Sequence, residues 1–539
     1  MNKRIKTNDK ILNLKYLVLF AFFYSNPCFS QTTYKNPVIP GFYPDPSVCR
    51  VNDDYYLVTS SFEYFPGVPV FHSKDLVNWE QVGHCLTRDS QLPLNKCRAS
   101  GGIYAPTIRY HDGLFYMVTT NVSGKGNFFV TTSDPAGEWS EPVWVNQGGI
   151  DPTIFWDEDG KSYFMSNGHR YSDGTSRGGI LISEIDLKTG KRLNEPVPVW
   201  DGTGGRYPEA PHMYKKDGYY YLLISEGGTE YGHKATIARS RYIYGPYESC
   251  PFNPILTHIN HSTETSPIQG TGHADLIQAH DGKWWTVFLA FRPQNGNHHL
   301  TGRETYLAPV SWPKNGWPSV NGNGTVSVEM NCPTLPLRPF APKPIREEFN
   351  NALPSLSWNY LRNPARENYR FGVRKSKLAL KGSPITLNEA DSPTFLGRRQ
   401  DQVTFQVTTL LSFSPDQPNE EAGLTVLMNE KYHLDLVKTK GKLTLRYQLG
   451  VITHIEKVIA LNSKTVYLRV EGTPEFYNFS YSKDSINFQP LGKVNTNLVS
   501  TETAGGFTGI YLGLFASGNG KMNKTQAEFD WFDYSGITN

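Results

Sequence analysis

A turn followed by an aromatic strand recurs five times between residues 53 and 286, and no other feature of the chain restricts its fold so tightly. The copies are Asp53-Asp54-Tyr55-Tyr56-Leu57-Val58, Asp112-Gly113-Leu114-Phe115-Tyr116-Met117, Asp159-Gly160-Lys161-Ser162-Tyr163-Phe164, Asp217-Gly218-Tyr219-Tyr220-Tyr221-Leu222 and Asp281-Gly282-Lys283-Trp284-Trp285-Thr286. Four of the five open with Asp-Gly, the pair that tolerates positive φ at both central positions of a tight hairpin. Each turn lies six or seven residues after an anchor, at Pro46, Pro106, Pro152, Pro211 and Asp275, and a short apolar strand fills the interval. Hairpins repeating at roughly 45–65 residues predict the blades of a five-bladed β-propeller, here over residues 31–332. Unrelated hairpins of a sandwich would not keep this register.

The repeat also predicts where chemistry belongs. The innermost strand of each propeller blade starts at the central channel, so equivalent positions face one another. Just before the anchors stand Asp45, Ala105, Asp151, Ala210 and Ala274, and one residue earlier stand Tyr104, Glu209 and His273. Three acids, an aromatic and a histidine therefore converge on one axis. Buried acids facing each other near neutral pH are costly unless paired or used. Glycoside hydrolysis uses such a set: one carboxyl protonated, one ionised, and a third charge to separate their pKa values. Taken singly, Asp45 and Asp151 also suit a turn, because Asp-Pro is a common turn pair. In register with Glu209 they point to catalysis.

A chain of 539 residues exceeds one hydrophobic core. The Pro-rich stretch over residues 333–344 breaks the repeat and reads as a linker. Beyond it, residues 345–539 carry longer alternating strands, expected at 403–411, 432–437, 442–447, 466–470, 511–515 and 527–532. They predict a concanavalin-like β-sandwich. No acids stand at its strand starts, so no chemistry of its own is expected there.

Lys3, Arg4, Lys6 and Lys10 precede the apolar run 16–24, which is too short to span a bilayer. Residues 1–30 therefore read as a cleaved export signal, placing the mature chain in the periplasm or outside the cell. Its removal takes a net four positive charges from the formal +3, leaving about −1, which gives no basis for nucleic-acid or anionic-membrane binding. Five cysteines then remain, an odd number without metal spacing. Cys85 and Cys97 are the one near pair, with bridged and unbridged states equally open, and Cys49 reads as a buried small hydrophobe. No heptads announce an oligomer.

The sequence resembles glycoside hydrolase family 43, the β-xylosidase and α-L-arabinofuranosidase group. The matching segments include Gly41-Phe42-Tyr43-Pro44-Asp45-Pro46-Ser47, Ser61-Phe62-Glu63-Tyr64-Phe65-Pro66-Gly67-Val68 and His72-Ser73-Lys74-Asp75-Leu76-Val77-Asn78-Trp79. They continue with Gly149-Ile150-Asp151-Pro152, Glu209-Ala210-Pro211-His212-Met213-Tyr214, Gly272-His273-Ala274 and Gly302-Arg303-Glu304-Thr305. The resemblance implies an inverting single displacement. Asp45 would be the general base, Glu209 the general acid, and Asp151 would tune and orient that acid. Inversion leaves room for water, so the Asp45 and Glu209 carboxyls are expected roughly 6.5–9.5 Å apart.

By the same resemblance Arg303 would bind sugar hydroxyls or a catalytic acid, and Phe65, Tyr104 and Thr229 would line the pocket. Tyr104 replaces the Trp often found in the family's xylosidases. His273 would sit on the axis as a structural residue or as a ligand to Ca²⁺ held mostly through water, although a hard cation prefers oxygen. Phe507, in Gly505-Gly506-Phe507-Thr508-Gly509, would reach the substrate from the sandwich and make the site short and exo-acting. The expected activity is release of xylose from xylo-oligosaccharides, with removal of arabinofuranosyl branches from arabinoxylan as the alternative and no required cofactor. A non-catalytic carbohydrate-binding protein would lack one of the three acids, and an endo-arabinanase would lack the sandwich.

Overall fold

The structure, a computed structural model, describes Met1 and residues 33–172, 175–372 and 376–537, with the backbone alone at 169–172 and 175–177. Apart from Met1, the expected export signal lies outside the described residues.

The five hairpin units form five antiparallel sheets whose inner strands are Ser47–Val51, Thr107–His111, Thr153–Trp156, Glu209–Lys216 and Gln269–Gln278. At Asp112-Gly113 and Asp217-Gly218 both residues have positive φ, 48° and 82°, then 50° and 74°, as a two-residue hairpin requires. At Gly160 and Gly282 the glycine alone is positive, and its N–H donates to the carbonyl three residues back, Asp157 or Ala279. Those two turns are one step longer. Strand Thr33–Lys35 pairs antiparallel with Glu329–Asn331, which ties the start of the described propeller to its end.

The Pro-rich stretch lies on the propeller. Leu335 is buried in the propeller core, and the Arg338 N–H donates to Asp75 Oδ2 at 2.5 Å. The sandwich then builds two eight-stranded sheets. Along Thr465–Gly472 every second residue is buried, the period of a strand with one face on a core. Val407, Leu436, Leu468, Phe479, Leu512 and Phe529 meet between the sheets, each such side chain contributing about 2 kcal/mol on burial. The six expected sandwich strands are found at Phe405–Ser412, Tyr432–Thr439, Lys442–Leu449, Thr465–Gly472, Tyr511–Ser517 and Gln526–Gly536.

The hydrogen-bond network does not stop where the chain changes domain. Tyr64–Phe65 of the propeller pairs with Trp358–Leu361 and becomes the eighth strand of one sandwich sheet. Tyr64 stacks on Tyr511 at 3.8 Å, and the wholly buried Arg362 donates through Nε to the Cys97 carbonyl at 2.5 Å. Cys85 and Cys97 are buried, unbridged thiols; Cys97 Sγ lies 3.1 Å from Ser123 Oγ.

Candidate active site

Four of the five inner strands enter the channel through a left-handed backbone residue: φ is 56° at Asp45, 55° at Asp151, 55° at Ala210 and 47° at His273. Positive φ is unfavourable for residues with a Cβ and persists where the surrounding structure demands it. The strand register also shifts between Glu209 and His212 and again between Gly272 and Asp275. Such bulges re-aim side chains. The outcome is that Asp45, Asp151 and Glu209 all line one cavity of about 540 Å³.

The carboxyls have different surroundings. Burial alone would push Asp45 up, but Arg303, then His273 and the Ser60 hydroxyl, outweigh it and hold the group below the ordinary carboxylate range. Arg303 Nη1 donates to Asp45 Oδ1 at 2.7 Å, Ser60 Oγ donates to Oδ2 at 2.5 Å, and His273 Nδ1 lies 3.6 Å from Oδ1. Glu209 is pushed up to about 7, first by burial and then by the charge of Asp45, with Arg303 opposing. Asp151 is pushed well above the ordinary range by burial, then by Glu209 and Asp45. Asp151 and Glu209 are thus both pushed toward the protonated form, beside a third carboxylate that is held ionised.

Arg303 lies against the adjacent rings of Phe62 and Phe507, 5.7 and 5.8 Å from their centroids, and its Nη2 donates to the Phe507 carbonyl at 3.2 Å. Phe62, Tyr104 and Phe507 form the apolar wall, with centroids 5.2 to 6.1 Å apart. Phe507 comes from the loop after the short helix Thr501–Ala504 of the sandwich. The loop before Glu209 is fixed by Glu226, which is fully buried and accepts from the Thr203 and Gly205 N–H groups and from the Thr203 and Thr236 hydroxyls.

Of the residues expected around the substrate, Tyr104, Thr229, His273, Arg303 and Phe507 line the cavity. Phe65 does not. Its two-residue strand pairs with Tyr360 and Leu361 and turns the ring into the core shared by the two domains; Phe62, three residues earlier in the same motif, provides the wall. His299 and Glu502 also line the cavity. Nothing in the sequence marks them, since one lies in an irregular segment, the other in a four-residue helix, and domain packing brings them together.

The surroundings of His273 do not suit Ca²⁺. Its neighbours His212 and His233 offer imidazole where a hard cation takes oxygen. The nearby carboxylate Asp275 is engaged by Arg109 at 2.7 Å and by the Tyr214 hydroxyl at 2.5 Å. Among the described residues no group of three or more His, Cys, Asp or Glu could hold a metal.

A family model described as glycosyl hydrolases family 43 matches residues 34–318, and one described as the beta xylosidase C-terminal concanavalin A-like domain matches residues 346–535. The chain is 43% identical over 528 residues to a non-reducing end alpha-L-arabinofuranosidase of Bacteroides ovatus, covering 96% of this chain and 98% of that one. It is 36% identical to a beta-xylosidase of Bacillus subtilis, covering 93% and 99%. Among solved structures, xylan beta-1,4-xylosidase from Bacillus halodurans superposes with a TM-score of 0.88 at 34% identity, covering 93% of this chain and all of that one.

Proposed function

This chain belongs to glycosyl hydrolase family 43, and on that premise we propose that it removes single pentose units from the non-reducing ends of hemicellulose chains with inversion, β-linked xylose from xylo-oligosaccharides being the leading substrate. The observation that carries the reading is the placing of three carboxyls, Asp45 and Asp151 buried and Glu209 partly so, in one cavity that the sandwich loop bearing Phe507 closes on one side. A cavity of about 540 Å³ suits one or two sugar rings better than a long groove suits a polymer.

Asp45, ionised by Arg303, takes a proton from a water molecule as that water attacks the anomeric carbon. Glu209 gives its proton to the glycosidic oxygen as the bond from carbon to that oxygen breaks. Asp151 tunes the acid Glu209 and orients it. At the end of the cycle Asp45 holds the proton taken from water, Glu209 has given its own to the leaving alcohol, and exchange with solvent restores both. No step is routed through a cation, and the reaction calls for no cofactor. The basic head and apolar run at the N-terminus support export to the periplasm or beyond.

A second reading, release of α-L-arabinofuranosyl branches, is favoured by the 43% identity to an arabinofuranosidase. Initial rates on aryl β-D-xylopyranoside and aryl α-L-arabinofuranoside, for wild type and Glu209→Ala, test both. The expected result is a preference for the xyloside, with both activities reduced by the substitution. A strong preference for the arabinoside replaces xylose as the substrate. No activity on either removes the glycosidase reading.

A further inference from the structure

His299 follows the strand Trp284–Phe291 of the last blade and is almost wholly buried, yet it lines the cavity. Its ring is stacked on Phe291, centroids 4.3 Å apart. Its other support comes from the sandwich. Glu502 Oε1 lies 2.6 Å from His299 Nδ1, and Oε2 accepts the His299 backbone N–H at 2.9 Å. The Thr501 N–H donates to the His299 carbonyl at 3.1 Å. One carboxylate therefore grips both the ring and the main chain of one residue.

This grip sets the tautomer. A carboxylate at Nδ1 calls for a proton there, which leaves Nε2 as an acceptor in the neutral ring. Among the described residues Nε2 has no hydrogen-bond partner. A fixed imidazole acceptor in the wall of a sugar-sized cavity matches one ligand chemistry, the hydroxyl of a sugar.

We propose that His299 is a substrate-binding residue that accepts a pentose hydroxyl on Nε2, and that Glu502 of the sandwich is the positioning residue that orients it. This rests on the glycosidase reading and extends it, giving the sandwich a polar as well as an apolar share of substrate recognition.

The test measures KM and kcat separately for His299→Ala, Glu502→Ala, Glu502→Gln and the His299→Ala/Glu502→Ala double variant on the preferred aryl pentoside. Free xylose and arabinose binding by calorimetry and thermal midpoints accompany the kinetics. His299→Ala should raise KM ~10-fold, the size of one hydrogen bond, with a smaller change in kcat. Glu502→Ala should raise KM several-fold alone but less than twofold in the His299→Ala background, and Glu502→Gln, which keeps one oxygen for Nδ1–H but sets an NH2 against the His299 backbone N–H, should recover only part of the loss. Unchanged KM and unchanged sugar binding in a folded His299→Ala protein overturn the proposal. Equal effects of Glu502→Ala with and without His299 overturn the positioning role. A wild type that binds the free sugars through His299 but cleaves neither pentoside fails the functional reading alone.

Discussion

The backbone N–H of Phe507 donates to Ser100 Oγ at 2.8 Å, across 407 residues of chain. Ser100 in turn donates its own N–H to Glu63 Oε2 at 3.0 Å and accepts the Tyr104 hydroxyl on its carbonyl at 3.1 Å. One propeller residue thus holds two of the three aromatic walls, one of them from the other domain.

Ser100→Ala leaves the Phe507 N–H without its acceptor, a loss of about 1–2 kcal/mol in the docking of that loop. KM should rise several-fold while the thermal midpoint falls by only a few degrees. An unchanged KM would mean that Arg303 alone suffices to hold Phe507.

The pH profile follows from the two unequal carboxyls. Glu209 must be protonated to act, so kcat/KM should fall as pH rises through about 7. Asp45 must be ionised and is held below the ordinary carboxylate range, so activity should survive to below about pH 4. Ser60→Ala removes a hydrogen bond to the ionised form and should move the acid limb to higher pH. An acid limb that stays in place after Ser60→Ala would show that Asp45 is not the group titrating there.

Arg303→Lys keeps the charge but loses the fork that bonds Asp45 and the Phe507 carbonyl together. A single ammonium cannot reproduce both directions, and kcat/KM should fall ~10–100-fold. Retention of more than a third of wild-type kcat/KM would reduce Arg303 to a point charge.

Glu63 is fully buried, and its carboxyl is pushed up to about 7, first by burial, with the Ser100 N–H and Arg362 opposing. An acid raised by folding binds its proton more tightly in the native state, so stability should fall as pH rises from about 4.5 to about 7. Glu63→Gln should flatten that slope in denaturant melts taken across the range. An unchanged slope would place its origin elsewhere, with Glu209 and Asp151 the next groups to substitute.

The propeller was legible because its signal is local. An Asp-Gly turn and an aromatic strand need only neighbouring residues to declare themselves, and five copies in register fix five blades. The same register placed Asp45 and Asp151 at equivalent positions and Glu209 one residue before the equivalent Ala210, and the starts of the inner strands in a closed ring face one axis. Tertiary structure alone decided the rest. Phe62 rather than Phe65 faces the cavity because a two-residue strand is captured by the edge of the sandwich sheet, a pairing between segments nearly 300 residues apart. His299 and Glu502 carry no pattern in the sequence, since neither lies in a periodic element; the packing of the sandwich against the last blade brings the carboxylate to the imidazole. The pKa order of the three acids depends on burial and on the reach of Arg303, which are properties of the folded interior. Sequence periodicity thus determined the architecture and the meeting point of the acids, while long-range packing decided which side chains surround them and how their protons are held.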